Sequence, residues 1–168
     1  METVDNRSRL IEVEPLEGES LSHFLGRFRR ANYLTTTGLG KLTGLGAVIS
    51  RWEKLLLNPF PTRQELEALA NVVGIDVERL GEMLPPKGVG IKHRPILLCA
   101  VCYGEFPWHR IEWQFKDRLG CDRHQLRLLP NCTNCQRLFP IPADWVQGEC
   151  QHCFLPFATM AKRQKSIG

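Results

Sequence analysis

Residues 99–153 read CAVCYGEFPWHRIEWQFKDRLGCDRHQLRLLPNCTNCQRLFPIPADWVQGECQHC, and eight positions among them decide how this half of the chain folds. They form four pairs: Cys99-x-x-Cys102, Cys121-x-x-His124, Cys132-x-x-Cys135 and Cys150-x-x-Cys153. Two intervening residues let a tight turn aim both side chains at one ion, and two such turns complete a tetrahedron. The gaps between the first and second pairs and between the third and fourth are 18 and 14 residues, close to zinc-ribbon spacing. All 7 cysteines and one histidine are used, which makes two closed sites for two structural Zn²⁺ ions. Sequential pairing gives tandem ribbons; a RING-like cross-brace would join the first pair to the third and the second to the fourth. The seven residues 125–131 separate the second and third pairs, more than a RING keeps, so tandem pairing is expected. His109 and His152 are spare imidazoles, expected at the surface or behind the ligands.

Other chemistries explain the pattern less well. A disulfide framework wants an even cysteine count and an oxidising compartment. A thioredoxin-like motif accounts for one pair, not four. A zinc deaminase requires His-x-Glu, which none of the 5 histidines begins. Eight good ligands leave no open position for a catalytic metal. Residues 91–168 also carry six prolines, which predicts a loop-rich segment with little room for a core of its own. Zinc in small fingers contributes on the order of 10–16 kcal/mol, enough to hold such a segment together.

The 168 residues allow one ordinary domain or two small ones. Charge is uneven: residues 1–90 hold 11 Lys/Arg and 12 Asp/Glu, a net of −1, and residues 91–168 hold 11 and 6, a net of +5. Seven thiolates and two dications would bring the second figure to +2, so net charge alone does not argue for nucleic-acid binding. The first twenty residues show no apolar h-region, and no apolar run is long enough to span a bilayer. A cytoplasmic protein with no membrane partner is expected.

The N-terminal half has the periodicity of helices. Ser20 is a candidate cap for a helix reaching about Asn32, with Leu21, Phe24, Leu25 and Phe28 as its apolar stripe. The glycine-rich stretch 38–46 matches neither a dinucleotide fingerprint nor a phosphate loop, and predicts turns and close packing. A further helix is expected over 47–57, ended by Asn58-Pro59. Thr62 and Glu65 form a capping box for a helix buried through Leu66, Leu69, Ala70 and Val73. Gly74 suits a left-handed C-cap, and Asp76 opens a short second helix before Leu84-Pro85-Pro86. Helix, glycine turn, helix is a helix-turn-helix pattern. The expected fold is a small α-helical helix-turn-helix domain followed by two tandem zinc ribbon or finger modules, with little regular sheet. The boundaries are an extension over 1–18, helices over 19–86, a connector over 87–94, a first finger over 95–129 and a second finger with tail over 130–168.

The second helix, from Asp76 to Met83, has Asp76, Glu78 and Glu82 against Arg79, a poor insert between DNA phosphates. Candidate nucleic-acid or partner contacts lie elsewhere: Arg27, Arg29 and Arg30; Arg51, Trp52 and Lys54; Trp108, Arg110 and Lys116. Interleaved Trp and Arg can stack on bases. The alternative for each stretch is a solvated face with partly buried aromatics. No paired acid and base or activated nucleophile stands out, so no enzymatic activity is expected.

GESLSHFLGRFRRAN, followed by the helix-turn-helix pattern and then by LCAVCYGE, HRIEWQFK, CDRHQLRLL and CTNCQRLF, resembles the TniQ family of transposition proteins from about Glu14 to Met160. The length resembles the short members found with single-protein CRISPR effectors in cyanobacterial transposons. The resemblance implies a non-catalytic adaptor. Its partners would be the AAA+ regulator TnsC, filamentous on DNA, and the RNA-guided effector with its guide RNA. A separate transposase would do the joining chemistry. A sequence-specific DNA-binding regulator and a RING-like interaction module are the rival readings.

Overall fold

Ser20 opens helix α1 (Leu21–Ala31) in the computed structural model, which describes residues 10–168. Its side chain accepts from the His23 N–H, as the sequence predicts for an N-cap. Leu21, Phe24, Leu25 and Phe28 of α1 are buried. Helix α2 (Thr36–Thr43) follows, capped by Thr35, where glycines pointed instead to turns. Gly40 sits inside α2 because a Cβ there would meet the Gly46 carbonyl oxygen at 2.5 Å, and left-handed Gly44 ends the helix. Helix α3 (Val48–Glu53) is shorter than expected. Its chain turns at Leu55, whose φ is +60°, and the Leu55 side chain packs into the C-terminal core.

Thr62 and Glu65 exchange both bonds of the capping box at the start of α4 (Arg63–Val73), and Gly74 closes it with a φ of +74°. Helix α5 (Val77–Gly81) begins after Asp76, whose side chain makes no cap bond, and runs five residues. Leu66, Leu69, Val73, Leu80 and Met83 join the apolar face of α1 in one core.

The C-terminal half has one further α-helix, α6 (Ala100–Glu105), and short 3₁₀ turns at Ile111–Gln114, Pro142–Asp144 and Phe157–Arg163. Its extended segments pair only as isolated bridges, so the molecule is mostly helical with little sheet. This half does have a core of its own, contrary to the expectation from its prolines. Trp145 stands at the centre, edge-on to Phe157 at 4.8 Å, Tyr103 at 5.8 Å and Phe139 at 6.2 Å. A few large rings bury as much apolar area as many aliphatic residues would.

The two cores meet along α1. The segment before α1 runs antiparallel to the segment after α6: Ser20 N–H donates to the His109 carbonyl and Ile111 N–H to the Gly18 carbonyl, each at 3.0 Å. A buried polar chain follows this seam. Glu19 accepts from Arg27 and bonds His23 Nδ1. Ser20 Oγ lies 2.8 Å from His109 Nδ1, and His109 Nε2 lies 3.2 Å from Gln114 Oε1. The Gln114 amide nitrogen donates to the carbonyls of Lys92 and Pro95, so its oxygen faces His109 and accepts. His109 is therefore the neutral Nε2–H tautomer, and Ser20 Oγ donates to its Nδ1. On the other side of α1, Ser22 Oγ accepts from Ala143 N–H, while Arg30 donates to the carbonyls of Ala143 and Trp145. Gly26 permits this approach, since a Cβ there would lie 2.1 Å from the Ala143 oxygen.

Burial alone would push Glu19 up, but hydrogen bonds from His23 and Arg27 outweigh it and hold its carboxyl below the usual range. Burial lowers His109 to about 3. An unfolded chain protonates its histidine near pH 6.5, whereas folded His109 stays neutral, so its share of stability falls as pH drops through the interval between them. Three outcomes are expected in urea unfolding. His109→Gln should be less stable than the parent at pH 8 by about 1–3 kcal/mol, with the gap narrowing at pH 5.5. Gly26→Ala should cost at least about 1–3 kcal/mol by overpacking. Gly104→Ala, whose Cβ would sit 3.5 Å from Ala158 Cβ, should leave the midpoint unchanged or raise it.

Candidate metal centres

Cys99 and Cys102 project from the start of α6, with Cys99 at its N-cap and Tyr103 N–H returning to the Cys99 carbonyl at 3.0 Å. The other three pairs share a different local design. Gln125, Gln136 and Phe154 N–H groups return to the carbonyls of Cys121, Cys132 and Cys150 at 2.8, 3.0 and 3.0 Å. The same cysteines then donate their own N–H to Leu126, Arg137 and Leu155 at 2.7–2.9 Å. Each turn is closed by a residue at positive φ immediately after the second ligand: Gln125 (+55°), Gln136 (+66°) and Phe154 (+64°). Left-handed backbone at a residue with a side chain costs about 1 kcal/mol or more, and a surrounding structure must hold it there.

The turns bring the donors together in two sets, Cys99, Cys102, Cys121 and His124, and Cys132, Cys135, Cys150 and Cys153, each with its four donor atoms within 4.8 Å of one another. The pairing is sequential, so the cross-brace is excluded. In the first set Cys102 Sγ lies 3.4 Å from Cys121 Sγ and 3.3 Å from His124 Nδ1, which is 3.6 Å from Cys121 Sγ and 3.9 Å from Cys99 Sγ. In the second, Cys132 is 3.6 Å from Cys153 and Cys135 is 3.5 Å from Cys150. A tetrahedral ion at 2.3 Å from each sulfur has edges of about 3.8 Å, so both cages have the size zinc requires. Amide N–H groups of Asn134 and His152 point at Cys132 and Cys150 sulfurs at 3.4 and 3.5 Å, suited to supporting thiolates.

Proton sharing among the thiols reflects this crowding. Hydrogen bonding from Cys102 lowers Cys99 to about 5, and Cys102 is pushed up by the same bond and by burial. Burial raises Cys132 to about 11, while hydrogen bonding lowers Cys153 to about 6. A dication that displaces these protons releases each cage from that compromise.

Glu105, which the sequence reading overlooked, accepts at 2.8 Å from His124 Nε2, leaving Nδ1 to face the sulfurs. A carboxylate behind a ligating imidazole fixes its tautomer and raises its basicity. Its sequence signal was faint: an acidic residue at the end of the helix that begins with the ligands. The spare imidazoles divide. His109 is fully buried in the seam, not at the surface, and His152 is exposed.

The candidate partner residues are scattered. Arg27 is committed to Glu19 and the Glu14 carbonyl, Arg29 to buried Glu53, and Arg30 to the carbonyls of Ala143 and Trp145. Trp52 is 3% exposed, so its ring faces the core rather than a base. Arg51 donates to the Asn58 carbonyl, and Lys54 and Lys116 are exposed. Arg110 is buried beneath Gly18 and paired with Glu112. Trp108 donates its indole N–H to the Glu17 carbonyl. Acidic partners up to 24 residues away, invisible in the local charge pattern, absorb Arg27, Arg29 and Arg110, and main-chain carbonyls take up Arg30 and Arg51.

The molecule is thus a helical protein with two four-donor cages of zinc-finger type on one side. The family model of TniQ matches residues 10–128, and the chain belongs to the TniQ family of transposition-associated proteins. The match spans α1 to α6 and the whole first cage; the second cage lies beyond it. No curated protein matches the chain.

Both cages are expected to fill with zinc, giving two ions per chain by elemental analysis. One ion or none would contradict the cage geometry. Glu105→Gln should weaken the first site about 10–100-fold in chelator competition and leave the second unchanged.

Proposed function

We propose that the chain is a non-catalytic adaptor in RNA-guided transposition, joining an RNA-guided effector and its guide RNA to the AAA+ regulator TnsC in the bacterial cytoplasm. Membership of the TniQ family supports a place in transposition. The observation that carries the adaptor reading is the seam: α1 is bonded to the helical core on one side and to the zinc half on the other. A bridge between two assemblies works only if its two faces keep a fixed relation, and the seam supplies that rigidity without a flexible linker.

In this reading, residues 19–86 form one docking unit, 95–129 and 130–168 form two zinc units, and 87–94 connects them. The pair α4 and α5 acts as a helix-turn-helix reused for protein contact. Glu78 on α5 and Glu82 just after it are exposed, and Arg79, which donates to Glu82 and to the Leu16 carbonyl, is engaged within the fold. That face suits a protein partner better than a DNA groove. The zinc ions are structural, since each cage is closed by four protein donors.

The test uses the full zinc-loaded chain. It should co-sediment with TnsC filaments on DNA, be retained by immobilised effector–guide RNA, and bring the two into one complex. Gly26→Ala, which loosens the seam, should keep binary binding to at least one partner and reduce the ternary complex severalfold. Failure of the parent chain to bind either partner would sink the adaptor reading. ATP turnover or DNA nicking by the pure chain, abolished by a point substitution, would overturn its non-catalytic part.

A further inference from the structure

The C-terminal tail is tied back against the joint between the two metal sites. Leu126 and Ser166 form an antiparallel bridge, Arg127 N–H donates to the Lys165 carbonyl at 2.7 Å, and Ile167 N–H donates to the Gln125 carbonyl at 3.0 Å. Gln164 locks the register. Its amide nitrogen donates to the Arg127 carbonyl and its oxygen accepts from Ala100 N–H at the start of α6. This register sets Arg127 directly across from Lys165, with Arg163 one residue beyond Gln164.

Like charges directly opposite on paired strands are destabilising. Here nothing in the fold neutralises them: Arg127, Arg163 and Lys165 are exposed, and none forms an ion pair with a carboxylate among the described residues. The contrast with Arg27, Arg29 and Arg110, each paired internally, is sharp. The three cations border a groove of about 490 Å³ that no Asp or Glu lines. Leu128, Leu129 and Pro130 give it an apolar floor, and Asn131, Thr133 and Gln136 give it neutral polar groups.

We infer that this groove binds the phosphodiester backbone of a nucleic acid. Three cations along one open channel match the repeated charge of a polyanion better than one small anion. Apolar floor residues tolerate sugars and base faces without selecting a sequence, so the contact is to backbone. An acidic peptide offers similar charge, but its carboxylates lack the regular spacing and flat rings that this channel accommodates. RNA and DNA share the chemistry, and the experiment separates them. The inference does not depend on the adaptor reading.

The zinc-loaded chain is titrated into fluorescein-labelled RNA and DNA of matched sequence, each single- and double-stranded, across 50–300 mM salt. Arg127→Gln/Arg163→Gln/Lys165→Gln is compared with Lys41→Gln/Lys87→Gln/Arg94→Gln, which removes equal charge from exposed sites outside the groove. The groove variant should bind at least about tenfold more weakly at 150 mM salt, with a log–log salt slope shallower by about 2–3. It should keep two zinc ions per chain, and its melting temperature at low salt should equal or exceed the parent's, because the Arg127–Lys165 repulsion is gone. Loss for RNA alone or DNA alone identifies which nucleic acid the groove takes. Equal loss in both variants, unchanged binding by the groove variant, or no binding by the parent would each overturn the inference. Displacement of the nucleic acid by polyglutamate of equal charge at equal concentration would overturn its specificity for phosphodiester.

Discussion

The structure depends on a buried chain of hydrogen bonds that runs from Ser20 through His109 to Gln114, with Glu19 joined to it through His23. Each member has its donor and acceptor roles set by the next: Gln114 by two carbonyls, His109 by Gln114, and Ser20 by His109 and by its own cap bond to His23 N–H. A buried network satisfied at every position specifies one arrangement of its parts, because any shift leaves a polar atom stranded. Here the parts are two separate apolar cores. Hydrophobic packing within each core is non-directional and would tolerate several relative orientations. The polar chain selects one.

Helix α1 is the common member. Its apolar stripe belongs to the N-terminal core, its cap residue belongs to the seam, and Ser22, Gly26 and Arg30 meet the turn at Ala143. Trp145 extends the same connection. Its ring lies 5.2 Å from His109 and 6.3 Å from His23, and its other edges contact the aromatic core. The arginines on α1 therefore act inside the molecule, and charge reversal at Arg27 or Arg30 disturbs the fold before it reports on any partner.

What could be read from the sequence was local. The cap at Ser20, the capping box at Thr62 and Glu65, the left-handed Gly74 and the eight donor positions all lie within a few residues of their effects. Sequential metal pairing was legible because the gap at 125–131 is itself a local length. Helix α2 was hidden because glycine weighs against helices, and the tight approach of Gly40 to Gly46 that explains it is tertiary. The roles of His109, Gln114 and Trp145 were hidden for the same reason, as Ser20 and His109 are 89 positions apart. Arginine clusters misled most: sequence displays the cation, but its carboxylate arrives only with the fold.

The family match ends at residue 128, yet the fold does not divide there. Ala143 and Trp145, between the two cysteine pairs of the second cage, close the face of α1 that the N-terminal core leaves open. The loop carrying them is anchored by the turns at Cys132 and Cys150, each held by a residue in left-handed backbone. Such turns are strained alone, and an ion joining them offsets that strain. The second cage therefore does more than stabilise a C-terminal appendage. By holding the 136–149 loop at both ends, it fixes the position of Ala143 against Gly26, and through that contact it bears on α1 and the seam.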